Sequence, residues 1–494
     1  MSKEDPSQFW KFWNTKTKRK ENKINIESLF DFFKNLNSNP NSNEMDDFVI
    51  PESLDTNELD KSITKDEIIK AINKLKRRKA VGVDKIENEY LIETRDLLLN
   101  FHFELFNLIL ETGILPENWL IGIIKPIFKN QGEDTNPENY RPLTLLSCFG
   151  KLFTSIINVR LTKYIEDNDI LNKVQAGFRK GYSTIDNMFV LHSIIDILKS
   201  SKKKLFCCFI DFRKAFDNVW RIGLWQKLVT YGITGKIMTL IKNMYSNIKS
   251  CISHNNNISG FFSCEKGVRQ GENLSPLLFS LFLNDLETWL QYNNCQGITV
   301  MNIQSDIVLQ NGLKLLLLLY ADDTVLFSDN AIDLQYILNC FQKYCEDWKL
   351  EVNYKKTKIL IFGSGNTKQN KFKFIINNVT IDIVDSYIYL GIKFNKNRKY
   401  TQAIKYLSEQ ASKATFCLLR KSRNINLPLD CLFKAYDHMI IPIITYGSEI
   451  WGYSNIDILE RLQSNFIKIC LKFKKVLLII CCMEKQVKCL FVYK

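Results

Sequence analysis

Residues 314–327 constrain the fold more than any other stretch. Two apolar arms there enclose a short polar turn, Tyr320-Ala321-Asp322-Asp323. Apolar runs bounded by a tight turn read as paired, buried strands, so the chain carries a β-hairpin with two adjacent carboxylates at its tip. Asp favours turns and tolerates left-handed backbone, which gives the pair an ordinary structural reading. Between apolar strands, however, two acids repel each other and lose solvation, a destabilising arrangement unless a cation joins them. A second apolar strand, 205–212, brings a third acid, Asp211, near its end. Set beside the hairpin, Asp211 completes a hard-oxygen set suited to Mg²⁺.

Alternating strands and helices surround these acids. Helices are expected over 214–231, 275–292 (with Pro276 in the first turn) and 334–348, and strands over 359–362, 374–376 and 387–394. Upstream, one helix is expected near 24–35. Thr64 with Glu67 three residues on forms a capping box for another, which carries Ile68, Ile69, Ile72 and Leu75 and stops at Gly82. A helix over 91–109 closes at Gly113, a strand spans 120–129, and 151–165 is helical. Beyond 400 the pattern is helical. The expected fold class is α/β, in the α+β sense, with helical flanks.

Composition narrows the function classes. The chain has 494 residues, 46% of them hydrophobic and 24% charged, which excludes a disordered or collagen-like polymer. No apolar run approaches the ~20 residues of a bilayer span, and the N-terminus carries no apolar signal core. An intracellular protein, nuclear or cytoplasmic, neither secreted nor membrane-bound, is expected. The 14 cysteines show no C-x-x-C spacing, so reduced thiols are expected rather than a zinc site. The formal net charge of +14 suits a polyanionic partner. A bias toward Lys, Asn, Ile and Phe codons is the alternative source of that charge. Residues 461–494 alone hold eight Lys and Arg against Glu484, half of the excess.

Further motifs follow in order. They are Lys79-Ala80-x-Gly82-x-Asp84, Ile124 to Lys129 with Asn139-Tyr140-Arg141-Pro142-Leu143, and Gln175-Ala176-Gly177-Phe178-Arg179 with Ser183-Thr184. Next come Phe209 to Asp217, Gly267-Val268-Arg269-Gln270-Gly271, the Asp322–Asp323 turn, Asn353 to Lys358, Tyr389-Leu390-Gly391-Ile392, and Tyr446-Gly447-Ser448-Glu449-Ile450-Trp451-Gly452. This ordered set, spanning roughly 65–460, resembles the reverse transcriptases of non-LTR (LINE-type) retrotransposons.

The resemblance implies a right-hand polymerase with fingers, palm and helical thumb, copying an RNA template into DNA from dNTPs at a DNA primer or target. It implies Asp211, Asp322 and Asp323 as the catalytic metal-binding acids, with two Mg²⁺ ions, or Mn²⁺ in their place. Phe216 becomes the aromatic gate against a ribose 2′-hydroxyl, and Gln270 and Gly271 touch the nucleotide. Arg141 and Lys129 match triphosphate-gripping positions, and Lys356 matches a donor to the pyrophosphate. Tyr389, Leu390 and Gly391 match the primer-gripping hairpin. Asp217 reads as a structural bridge rather than a fourth ligand.

The implied domains are a polar linker-like region at 1–60, a helical extension at 61–108, fingers and palm at 109–394, a thumb-like region at 395–460, and a basic tail at 461–494. No endonuclease-like segment accompanies them, and the tail departs from the family pattern, as a truncated or out-of-frame end would. The rival readings are a catalytically silent retroelement relic that only binds nucleic acid, and an RNA-templated RNA polymerase, against which Phe216 argues.

Overall fold

A computed structural model describes residues 24–38, 58–300, 313–363, 372–425, 427–454 and 456–471. Its centre is a five-stranded sheet in the order Ile383–Val384, Lys358–Phe362, Leu205–Ile210, Asp323–Ser328, Leu317–Tyr320. Only the outermost pair, Ile383–Val384 with Lys358–Phe362, runs parallel. The middle strand Leu205–Ile210 is buried at every position. Successive side chains of a strand point to opposite faces. Phe206, Cys208 and Ile210 therefore enter one hydrophobic core, and Leu205, Cys207 and Phe209 enter a second. A strand covered on both faces needs no polar alternation, which is why the run Leu-Phe-Cys-Cys-Phe-Ile is apolar throughout.

The first core is filled from the helices Cys148–Asp167, Arg221–Thr230, Ser275–Phe282 and Ala331–Asp347. The second is covered by Thr184–Ser200 and by the C-terminal helices Thr401–Ile425, Leu429–Met439 and Asp457–Leu471. That last helix crosses residue 461, where a separate tail was expected to begin, and buries Phe466 against Tyr436 at 4.0 Å between ring centroids. Residues 472–494 of that tail lie outside the described residues.

An outer sheet sits on the N-terminal side. Ile121–Phe128 pairs antiparallel with Tyr140–Leu145 and parallel with Lys249–His254. Pro126 lies past the end of the parallel pairing, which stops at Ile124, so no ladder donor is missed there. Within the expected linker, the helix Ile26–Asn37 buries Leu29 and Phe33 in the first core. Among the described residues no helix is long and apolar enough to cross a membrane.

Several sequence expectations shift at their boundaries. The capping box at Thr64 forms as read, but its helix, Lys65–Asn73, ends well before Gly82. Gly82 is needed for a different reason: a Cβ there would stand 2.5 Å from the Ser147 backbone nitrogen. The expected helix over 91–109 is two, Asn88–Glu93 and Arg95–Thr112, the second closed by Gly113 at φ 67. The helix expected from 214 begins only at Arg221, because 214–219 fold into a turn entered by Lys214 at φ 49. The helix expected over 275–292 breaks into Ser275–Phe282 and Leu286–Tyr292. At the break, Lys227 Nζ donates to the Phe282 carbonyl at 2.6 Å.

Candidate active site

The middle strands of the central sheet end at one edge, and their register gathers the acids. Thr324 pairs with Ile210, so extending that register by one residue sets Asp323 across from Asp211. Tyr320 pairs with Asp323, leaving Ala321 and Asp322 as a two-residue turn. Ala321 takes φ 58, a left-handed conformation that costs a residue with a Cβ roughly 1–2 kcal/mol. A buried glutamine holds it there: Gln175 Oε1 accepts from the backbone N–H groups of Ala321 at 3.0 Å and Gly177 at 2.9 Å. Gly177 has no freedom to be anything larger, since a Cβ would lie 2.1 Å from the Ala321 nitrogen. Neither Gln175 nor Gly177 carried an assigned role in the sequence. Their signal was the motif around them, while the contact itself spans 146 residues.

Asp211 is anchored through its backbone. Its N–H donates to Thr357 Oγ1 at 3.2 Å and its carbonyl accepts from Asn353 N at 2.8 Å. That return segment carries Lys356, whose Nζ is 3.9 Å from Asp211 Oδ2. Burial, and then the Asp211 charge, push the Asp322 carboxyl up, against the opposing pull of Arg141 and Lys356. Asp323 is raised to about 6 by burial and by Asp322 and Asp211, although its side chain keeps an open face to solvent.

All the donors gathered here are hard carboxylate oxygens, the chemistry of Mg²⁺ or Mn²⁺ sites. Mutual repulsion among them is the signature of a set that a cation would relieve. Among the described residues no three His, Cys, Asp or Glu side chains stand close enough to hold a metal ion as they are.

Beside the acids lies the turn 214–219 with the glycine loop docked on it. Val268 N donates to the Phe216 carbonyl at 2.8 Å and Gly267 N to the Val219 carbonyl at 3.0 Å. Phe216 stacks on the core ring of Phe279 at 4.8 Å and 19°, which gives it a rigid seat, and meets Phe178 edge-on at 6.3 Å. Gln270 Nε2 donates to Asp217 Oδ2 at 3.0 Å, so Asp217 does bridge to the loop. Gly271 takes φ 125, and a Cβ on it would stand 2.4 Å from the Thr144 carbonyl oxygen. Ser275 begins the helix that follows as its first residue rather than capping it, with Leu274 at the N-cap.

The loop is held from behind by Arg221, which sequence reading passed over. Its buried guanidinium donates to the carbonyls of Gly267, Tyr245, Cys264 and Lys266 at 2.9–3.0 Å. Burial lowers its pKa to about 10.

A basic rim faces the acids. In the outer sheet Arg141 stands across from Ile127, two residues before Lys129, whose Nζ donates to the Glu138 carbonyl at 2.8 Å. Burial, then Lys356 and Arg141, lower the Lys129 pKa, so these three cations share one field.

The hairpin Ser386–Tyr389 and Ile392–Asn395 forms as expected, but its tyrosine does not face outward. Tyr389 is buried in the second core, and the tip, Leu390 at φ 46 and Gly391 at φ 90, is braced by Tyr446. Tyr446 Oη donates to the Leu390 carbonyl at 2.7 Å. Two residues earlier, Tyr387 stacks on Phe209 at 4.3 Å. Burial, then Asp323 and Asp211, push its hydroxyl up to about 12, so Tyr387 borders the acidic cluster.

One sheet edge thus gathers three acids, an aromatic seat, a glutamine loop and a basic rim within a mixed α/β architecture of the right-hand polymerase fold. Residues 127–406, more than half of the chain, match the family "Reverse transcriptase (RNA-dependent DNA polymerase)", and the chain belongs to that family. It is 28% identical over 428 residues to "Probable RNA-directed DNA polymerase from transposon BS" of Drosophila melanogaster, covering 83% of this chain and 45% of that protein. It is 26% identical over 413 residues to "RNA-directed DNA polymerase from mobile element jockey" of the same organism, covering 81% of this chain and 43% of that protein. The chain thus spans about half the length of the curated relatives it matches. Among solved structures, an apo telomerase from Candida tropicalis aligns with a TM-score of 0.38 and 12% identity, over 64% of this chain and 61% of that one.

Proposed function

We propose that this chain is an RNA-directed DNA polymerase of non-LTR retrotransposon type, transferring nucleotides from dNTPs to a primer 3′-hydroxyl on an RNA template. The observation that carries the reading is the convergence of Asp211, Asp322 and Asp323 at one sheet edge, with Phe216 and Gln270 beside them. Relatives named for RNA-directed DNA polymerases of mobile elements support it.

In this reading the three acids hold two Mg²⁺ ions, or Mn²⁺ in their place. Such ions, when bound, lower the pKa of the attacking hydroxyl and neutralise the leaving pyrophosphate. Arg141, Lys129 and Lys356 hold the triphosphate, where the remaining demand is positioning and positive charge. Phe216, fixed on Phe279, lies under the sugar and obstructs a ribose 2′-hydroxyl. Gly271 brings the loop backbone close, and the hairpin tip Leu390–Gly391 meets the primer, with Tyr389 seated in the core beneath it.

Residues 109–394 then act as fingers and palm, 61–108 as a helical extension and 395–460 as the thumb. The working compartment is nuclear or cytoplasmic, and the nucleic-acid partners are the RNA template and the DNA primer or target. Purified protein should extend a DNA primer on an RNA template with Mg²⁺ and dNTPs, and Asp322→Ala should abolish extension. Wild type as inert as the variant would overturn the reading and leave a silent nucleic-acid binder. Preference for rNTPs over dNTPs would move it to RNA synthesis.

A further inference from the structure

The turn bearing Phe216 and the loop bearing Gln270 are locked together at backbone level on both sides of Asp217. Val268 N donates to the Phe216 carbonyl at 2.8 Å, and Gly267 N to the Val219 carbonyl at 3.0 Å. Gly267, at φ 77, packs so closely that a Cβ would be 2.5 Å from the Asp217 carbonyl oxygen. The Gln270 backbone is itself fixed, its carbonyl accepting from Thr144 N at 2.9 Å. Within this frame the Gln270 side chain meets Asp217 through one end of its amide.

Which end that is follows from chemistry. An ionised carboxylate only accepts hydrogen bonds, whereas an amide has one donating and one accepting end. Facing Asp217 Oδ2 at 3.0 Å, the amide must present Nε2 inward, which leaves Oε1 turned away from Asp217. Among the described residues no donor reaches Oε1. The outward group is therefore a pure acceptor at the place where the polymerase reading puts the nucleotide sugar. On a deoxynucleotide the sugar's only hydrogen-bond donor is its 3′-hydroxyl.

We propose that Asp217 is a positioning residue that locks the Gln270 amide carbonyl-outward, and so makes the site selective for nucleotides bearing a 3′-hydroxyl donor. The inference rests on the polymerase reading and adds to it a residue that touches neither metal nor substrate. Burial raises the Asp217 carboxyl to about 6, against the pull of Lys214, the Gln270 hydrogen bond, Lys129 and Lys266, so at neutral pH the charged, acceptor-only form still predominates. Asp217→Asn keeps the shape but removes the constraint, because a carboxamide can offer either end. One net hydrogen bond corresponds to roughly a two- to tenfold preference.

The test compares kcat/KM for dTTP and for its 3′-deoxy analogue on one primer–template with Mg²⁺. The proteins are wild type, Asp217→Asn, Asp217→Ala, Gln270→Ala, and the double variant that combines Asp217→Asn with Gln270→Ala. The expected result is a wild-type preference for dTTP that shrinks by that factor in each single variant. The double variant should show no further loss than Gln270→Ala alone, since both act through one bond. A merely structural role would slow both nucleotides equally and leave their ratio unchanged, and that outcome overturns the proposal. So does a ratio altered by Gln270→Ala but not by either change at Asp217. Equilibrium binding of the two nucleotides to the full chain on a chain-terminated primer–template provides a second arm that needs no turnover. Should wild type bind with the preference yet fail to extend, the polymerase reading fails while the positioning role stands. Absence of any binding preference in wild type overturns the positioning role itself.

Discussion

Two sets of charges, one buried and one at a half-open sheet edge, divide this molecule, and they are treated in opposite ways. Behind the site, Lys227 is 3% exposed and donates to Asp285 Oδ1 at 2.5 Å, the Phe282 carbonyl at 2.6 Å and Tyr344 Oη at 2.8 Å. Arg221 likewise spends its guanidinium on four carbonyls. At the sheet edge, three carboxylates cluster, and the ion pair there among the described residues is the loose one from Lys356 to Asp211, at 3.9 Å. A satisfied buried charge holds elements together, and removing it strands its partners. A cluster of like charges, with Asp322 and Asp323 pushed up, does the reverse: it costs stability and persists where chemistry needs it. The contrast separates scaffold from site without reference to any motif.

Breaking that contrast at the acids should have the largest effect. Asp322→Ala should lower primer extension by about 10³-fold or more, the scale of several kcal/mol of lost charge stabilisation. Its melting temperature in metal-free buffer should hold or rise, because a repulsive charge has gone. A variant that melts well below wild type would place Asp322 with the scaffold instead.

Lys227→Met should do the opposite. Stranding Asp285 and the Phe282 carbonyl should cost roughly 3 kcal/mol in urea unfolding, while extension per folded molecule stays near wild type. An unaltered midpoint would show that the lysine node is not structural.

Gly177→Ala tests the join between the two regions, since its Cβ would strike the Ala321 nitrogen. Displacing the Asp-Asp turn by about 1 Å should slow extension by roughly 10²-fold, more than the loss of stability explains. Equal losses in both would merge clamp and scaffold.

The smallest expected effect is in pH. Burial raises the Asp217 carboxyl from 3.8 to about 6, so the folded state holds its proton more tightly than the unfolded chain does. A raised acid weakens the fold as pH climbs from about 4 to 6, by an amount on the order of 2 kcal/mol. Asp217→Asn should flatten that slope in unfolding measured from pH 4 to 7.5 and be the more stable protein at neutrality. An unchanged slope would mean that Asp217 is not desolvated.

The local sequence carried much of this outcome. Apolar runs without alternation marked the central strands, the Asp-Asp turn marked their tip, and Thr64 with Glu67 marked a helix start, because each signal lies within a few residues. Asp211, Asp322 and Asp323 were legible for the same reason, each sitting where a strand ends. Helix lengths were less so: the helices expected from 214 and over 275–292 were shortened or split by a left-handed turn and by a lysine arriving from another helix.

What only the tertiary structure decided is which distant groups meet. Gln175 reaches across 146 residues to set the backbone of Ala321, Gln270 across 53 to Asp217, and Arg221 across 46 to Gly267. Tyr387 borders the acids beside Tyr389 because residues two apart on a strand share a face, and both rings pack on Phe209. Strand and turn chemistry are properties of neighbours along the chain. Hydrogen-bond partners and burial belong to the packed molecule, where the cost of an unsatisfied buried polar group selects one set of contacts from many.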